Sequence, residues 1–276
     1  MSEAITRLLD RTSLAAPRQK NGQSMVFIID AAHARDAWTA IMQQTELYAH
    51  EALWFGTPWQ DQMLKGPSWF VLPATAVAGM AAVCERRPRG IALRCRDPKH
   101  ALLHARKLLS MPLGSANHLA FHDPAIWAAL AMEAGENYDC LLGPWEAVYT
   151  PAPAPRSGQQ NWYEWSAESS VDNVACHWPL AFAEQVFTTY KDLRWLYWLR
   201  DNLTHFGSVP DVELPRVLSN LDYLVDHGIG IDSDLLELSS LIVDGDLSSR
   251  TDLQPILTSP ERPHRRVAQL LEAIKP

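Results

Sequence analysis

Three times in the first half of this chain, a Thr or Asp followed by Pro opens a helical pattern: Thr57-Pro58, Asp97-Pro98 and Asp123-Pro124. The pair is a helix start signal. The side-chain oxygen accepts a first-turn N–H, and Pro brings a preset φ with no N–H to leave unpaired. Apolar runs precede these starts. Met25–Ile29 (MVFII), Glu51–Phe55, Ser68–Leu72 (SWFVL), Gly90–Cys95 (GIALRC) and Asn117–Phe121 (NHLAF) read as strands. Helices are expected over His33–Gln44 and Thr75–Glu85, from Pro98 to Leu109, and from Pro124 through Ala134. Strand–helix–strand alternation predicts parallel pairing with right-handed crossovers. The sheet is expected to be open, because nothing suggests the eight repeats of a closed barrel. Trp145–Tyr149 reads as a further strand at the sheet edge.

The pattern changes after residue 150. Residues 150–160 (TPAPAPRSGQQ) have no apolar periodicity and read as a linker or long loop. Asn161–Ser166 (NWYEWS) alternates aromatic and polar residues, as a strand of the first lobe would. From His177 onward the pattern is helical, with Phe182, Val186, Leu193 and Leu196 on one face. A narrower stripe from Leu214 to Val225 ends at Gly228, Asp232 or Ser233 caps Leu235–Val243, and Val267 to Ile274 marks a last helix. Charge divides at the same place. Residues 1–150 hold 14 basic and 14 acidic side chains, and residues 151–276 hold 10 and 18, so all of the net charge of −8 lies in the second half. The expected organisation is a flexible lead-in (1–24), an α/β domain with a mostly parallel open sheet (25–166) and an all-α lobe (167–276).

Composition narrows the function classes. With 47% hydrophobic residues, a chain of 276 residues can bury a core without disulfide or metal staples. Net acidity argues against a sequence-independent nucleic-acid binder, and no apolar run approaches the ~20 residues of a membrane span. Cys84, Cys95, Cys140 and Cys176 form no C-x-x-C pair and are expected to be reduced thiols of a cytoplasmic protein. The N-terminus has Glu3, Arg7, Asp10 and Arg11 among its apolar residues, unlike a secretory signal.

The residues that could carry chemistry are few. No glycine-rich phosphate loop and no G-x-S-x-G elbow occurs. His100 and His104 have the i, i+4 spacing of zinc ligands, but a third ligand is not apparent, so a solvated helix face is favoured and no metal or cofactor is expected. Asp30, His33, Asp97, His122 and Asp123 map near strand ends, where α/β proteins place ligands. They support the rival reading, a small-molecule hydrolase. Helix capping already accounts for Asp97 and Asp123. Residues 85–107 carry eight basic side chains against two acidic ones, read first as a solvated face and second as a dock for an acidic partner segment. Residues 201–252 carry 11 acids against two Arg, a surface able to steer a basic partner. Of the 11 Trp, Trp195 and Trp198 read as helical core. Trp162 and Trp165 lie beside the linker, where an interlobe or partner-binding role fits the enrichment of Trp at interfaces. Asp222 and Asp226, within the acidic stretch, join them as candidate partner-binding residues.

Four blocks in order carry a resemblance: Leu53-Trp54-Phe55-Gly56-Thr57-Pro58, Gly66-Pro67-Ser68-Trp69-Phe70-Val71-Leu72, Phe121-His122-Asp123-Pro124-Ala125-Ile126-Trp127 and Leu142-Gly143-Pro144-Trp145. Together they resemble the type VI secretion effector chaperones, the Tap/Tec adaptor family, over about residues 25–150. The chain departs from the family pattern at Leu119-Ala120, where Arg-Tyr or similar is common, at Ala125-Ile126, where Arg-Val is usual, and at Trp69 before Phe70. The resemblance implies an adaptor without catalytic activity. Such a protein binds a specific toxic effector in the cytoplasm and helps load it onto the spike protein VgrG, with no nucleic-acid or membrane partner. The charge split then suggests spike contacts on the α/β lobe and effector contacts on the acidic helical lobe. A generic scaffold unrelated to secretion is the third reading.

Overall fold

In the computed structural model, the described residues are 3–30, 34–43, 49–86, 90–111, 118–153, 161–167, 176, 178–180, 184–207 and 209–274. They divide into two compact units, residues 7–197 and residues 1–6 with 198–276. The division falls inside the helix Gln185–Asp201, whereas the sequence reading places it at 166/167, after the strand Asn161–Ser166. Residues 154–160 of the linker lie outside the described residues.

The first unit is built on a seven-stranded sheet: β1 (Ser13–Leu14), β2 (Ser24–Ile29), β3 (Ala49–Ala52), β4 (Ser68–Leu72), β5 (Gly90–Cys95), β6 (Trp145–Pro151) and β7 (Trp162–Trp165). Their order is β1-β7-β6-β5-β2-β4-β3, and every neighbouring pair is antiparallel. The expected mostly parallel sheet is therefore wrong, for a specific reason. β2 and β3 run in the same direction, with the helix Ala34–Met42 between them in the chain. β4 and β5 also share a direction, across the helix Ala74–Arg86. Each crossover does return the chain in the expected sense, but it sets the new strand two places away. An antiparallel strand fills each gap: β4 lies between β2 and β3, and β2 between β4 and β5. Between β5 and β6 the chain makes two long helices, Pro98–Leu109 and Pro124–Glu133. That even number of traverses lets β6 pair antiparallel with β5.

Both sheet faces are buried. Met25, Phe27, Ile29, Phe70, Leu72, Ala92, Tyr149 and Trp162 pack against Ala37 and against Ala76, Val77, Met80 and Cys84 of Ala74–Arg86. The alternate residues Val26, Ile28, Trp69, Ile91, Leu93 and Val148 point to the other face and are buried as well. β6, read as an edge strand, is interior to the sheet. The true edges are β1, two residues long, and the exposed four-residue β3, and short edge strands limit unwanted pairing. Two further expectations change. His118–Phe121 is not a strand: Leu119 N–H donates to Leu109 O at 3.1 Å, and the segment turns directly into Pro124–Glu133; Asn117 lies outside the described residues. Part of the flexible lead-in is ordered, as the helix Glu3–Leu9 and as β1 paired with β7.

Arg94 is an ionised side chain inside this sheet, 3% exposed. It hydrogen-bonds the Tyr149 hydroxyl, and its Nη2 donates to Glu164 at 3.1 Å. Arg18 O accepts from both Arg94 Nη1 and the Tyr149 hydroxyl, at 3.4 Å each. Burial raises the Tyr149 pKa, with Arg94 opposing. The cluster fastens the backbone at Arg18 to β5, β6 and β7. Arg94 thus leaves the solvated basic face to which the sequence assigned it.

After β7 the described residues form only helices. In the second unit, Leu214–Asp226 buries Leu214, Val217, Leu218, Leu221 and Leu224, a stripe at helical spacing. The expected helix over Leu235–Val243 is two, Asp232–Glu237 and Ser239–Asp244. Asn220, 1% exposed, ties them down. Its Nδ2 donates to Ile242 O (2.8 Å) and Gly245 O (2.6 Å), and its Oδ1 accepts from Leu247 N–H at 2.9 Å. Asn220→Ala would remove three hydrogen bonds, taking this partner from the buried Ile242 O and Leu247 N–H while Gly245 O keeps Arg216, and is expected to cost this unit about 3 kcal/mol. Urea unfolding followed by tryptophan fluorescence and circular dichroism checks this.

Candidate functional site

The strand-end constellation does not assemble. Asp30 follows β2 and Asp97 follows β5, and these strands are antiparallel neighbours with Ile29 opposite Gly90 and Ser24 opposite Cys95. Their C-terminal ends therefore lie at opposite ends of the sheet, roughly 20 Å apart at about 3.4 Å per residue. A parallel sheet would have gathered them. Asp97 accepts from Lys99 N–H (2.9 Å) and His100 N–H (3.3 Å), and Asp123 accepts from Ala125 N–H (2.8 Å) and Ile126 N–H (3.2 Å), so both are helix caps. His33 lies outside the described residues. Asp30 and His122 do interact. Burial drives the His122 pKa down to about 4, Asp30 draws it up and His118 draws it down. At neutral pH His122 is therefore an uncharged imidazole.

The i, i+4 histidines part company. His100 is exposed, while His104 is buried. His104 Nε2–H donates to Leu141 O at 2.9 Å, and burial pushes its pKa down to about 4. Its ring meets Trp145 edge-on at 4.8 Å and Trp178 at 5.7 Å. A solvated helix face does not describe it. Among the described residues, no three His, Cys, Asp or Glu side chains gather as a metal site.

The four blocks pack on one another in pairs. Gly66 of the second block lies under the Trp54 indole of the first, where an added Cβ would come within 2.4 Å of the ring. Trp54 and Trp59 both contact His118, at 5.4 and 5.3 Å. Phe121 and Trp127 of the third block lie 5.6 and 5.7 Å from Trp145 of the fourth. Gly143, with φ +53°, lies against the His104 ring. The helix Pro98–Leu109 joins the two pairs. Arg106 donates to Leu53 O (3.3 Å) and to Glu51 (2.9 Å), and Ala101 O accepts from Trp145 Nε1 at 3.2 Å. The blocks therefore form one packed aromatic region rather than four separate surface motifs.

The candidate partner-binding tryptophans sit inside. Trp162 is 0% and Trp165 1% exposed. Trp162 Nε1 donates to Glu85 at 2.7 Å, Trp165 Nε1 donates to Thr150 Oγ1 at 2.9 Å, and Arg11 stacks 3.8 Å over the Trp165 ring. Neither indole offers surface to a partner, because proximity to a linker in sequence does not decide which sheet face a side chain occupies. Asp222 is half-buried and Asp226 exposed, on the helix Leu214–Asp226 of the acidic unit. Sequence reasoning also missed a disulfide. Cys140 and Cys176, expected as thiols, are bonded, whereas Cys84 and Cys95 are free and buried. Nothing in the spacing of 36 residues signals that pairing.

The surface itself carries exposed apolar side chains, among them Phe55, Leu64 and Leu103 in the α/β unit and Leu203, Val212 and Ile231 in the helical unit. No described helix is long and apolar enough to cross a membrane. Searches against protein-family models, curated proteins and solved structures return no match for this chain.

Proposed function

We propose that this chain is a cytoplasmic adaptor that binds a specific toxic effector and helps load it onto the type VI secretion spike protein VgrG. The observation that supports the reading is the mutual packing of the four resemblance blocks: the residues that carry the likeness occupy one region and hold one another in place. Two compact units that differ in charge suit a protein with two partners. On this reading the α/β unit meets the spike, and the acidic helical unit, Asp222 and Asp226 included, meets the effector. A cytoplasmic site sets the Cys140–Cys176 bond against a reducing environment, so the working form there is the dithiol unless the bond is shielded. Asp30 and Asp97, two members of the set that motivates the hydrolase alternative, lie at opposite ends of the sheet, while Asp30 and His122 remain within electrostatic reach.

The test is genetic. Deleting the gene from its host is expected to abolish export of the toxin encoded beside it while leaving export of the bare spike intact. Unchanged toxin export would refute the reading. So would a genome in which neither a spike gene nor a toxin gene lies nearby.

A further inference from the structure

The helix Pro98–Leu109 buries one side and turns an exposed arc outward. At 100° per residue, that arc runs through Arg106, Lys99, Leu103, Lys107 and His100. Leu103, 63% exposed, lies near its middle with basic residues on both sides, and the helix has no acidic residue. The flanks are aromatic. The Phe55 ring, 53% exposed, lies 5.9 Å from the Arg106 guanidinium carbon. On the other side Lys107 Nζ sits 3.9 Å above the Trp178 ring. The result is a continuous strip in the order Phe55, Arg106, Leu103, Lys107, Trp178.

Two features hold the strip in shape. Arg106 is fixed by Glu51 and by Leu53 O. Trp178 rests edge-on against the buried His104. An aliphatic side chain exposed within a ring of cations loses water favourably only under a partner that brings both apolar groups and carboxylates.

We propose that this strip docks an acidic amphipathic segment of a partner protein, with the partner's apolar side chains on Leu103 and Phe55 and its carboxylates on Lys99, Lys107 and His100. Charge complementarity carries the choice of occupant. The protein as a whole has a net charge of −8 and repels an acidic peptide at long range, so capture of one reports a local site. A nucleic-acid strand fits less well, because Lys107 already covers a face of Trp178 and the centre of the strip is a leucine with no face for a base to stack on. The inference rests on the adaptor reading only for the partner's name, which would then be the spike.

The test uses the full-length chain and a fluorescein-labelled helical peptide made of three repeats of Glu-Leu-Ala-Glu-Glu-Leu-Ala, read by fluorescence anisotropy. The wild type is expected to bind, and raising the salt should weaken binding. Leu103→Asp and Lys107→Glu should each weaken it about tenfold with an unchanged circular dichroism spectrum. Leu203→Asp, in the other unit, should leave it unchanged, and an unlabelled lysine-for-glutamate peptide should not displace the acidic one. Equal affinity in wild type and Leu103→Asp, or no binding by the wild type, overturns the proposal. It is also overturned if an oligo-dT strand binds the strip more tightly than the peptide, or if light scattering shows a wild-type dimer that Leu103→Asp dissolves, since the occupant would then be nucleic acid or a second copy. Failure of the adaptor reading looks different: the peptide binds through the strip, but purified spike protein does not.

Discussion

Between pH 7 and pH 4 the α/β unit is expected to lose about 6 kcal/mol of stability through two histidines. His104 and His122 are buried, and their folded pKa values are pushed from the usual 6.5 to about 4. The unfolded chain takes up protons at these positions as the pH falls below 6.5, while the folded chain does not until about 4. Stability is therefore complete above pH 6.5 and drains away through that window, by about 3 kcal/mol per histidine at pH 4. Native carboxylates contribute mainly at the lower end of the window, so the upper part, from about pH 6.5 to 5, belongs to the histidines. Urea midpoints across this range should fall steadily. His122→Gln and His104→Gln should each remove a large part of the slope, the remainder including His50 and His118, whose pKa values burial also lowers. A flat profile between pH 6.5 and 5 would show that both imidazoles reach solvent or a carboxylate when protonated.

Gly143→Ala is expected to cost about 4 kcal/mol, from two independent sources. Gly143 has φ +53° and ψ −120°, a region costly to any residue with a Cβ, at about 1–3 kcal/mol. The added Cβ would also lie 2.4 Å from His104 Cε1 and 2.7 Å from both ring nitrogens. The ring cannot easily give way, because Nε2 is tied to Leu141 O at 2.9 Å and Trp145 and Trp178 stand against it. Overpacking of this kind costs about 1–3 kcal/mol more. Thermal and urea unfolding measure the loss. A change under 1 kcal/mol would mean that the turn before β6 adapts freely, and that Gly143 does not hold His104.

Local chemistry was legible in the sequence where a few adjacent residues decide the outcome. Asp97-Pro98 and Asp123-Pro124 predicted two helix starts, and both Asp side chains cap as expected. Gly228, with φ +77°, ends the Leu214–Asp226 helix where its stripe stops. Strand neighbours were not legible, because pairing is decided far along the chain. The helical crossovers fix the direction of β3 against β2 and of β5 against β4, yet nothing near them announces that β4 and β2 will fill the gaps. The LAF of Leu119–Phe121 shows the limit for a short apolar run, which burial explains equally well as strand or as turn. Phe121 is buried by stacking on Trp127 and Trp145 instead. Arg94 and Trp162 were misplaced for a shared reason. Each is an amphipathic side chain whose charged or polar end finds a partner distant in sequence, Glu164 for Arg94 and Glu85 for Trp162. Composition suggested surface, and the fold supplied an interior partner. The candidate docking strip was half visible, as a basic window. Its aromatic flanks come from residues 55 and 178, which only the fold brings to the same helix.

The adaptor reading is tested most directly by co-expressing the full-length chain with a VgrG and a candidate toxin from its own genome, and weighing the products by size-exclusion chromatography with light scattering. The account predicts a stable complex of this chain with the toxin and a further, heavier assembly when VgrG is present. Three separate peaks at the masses of the individual proteins would contradict it.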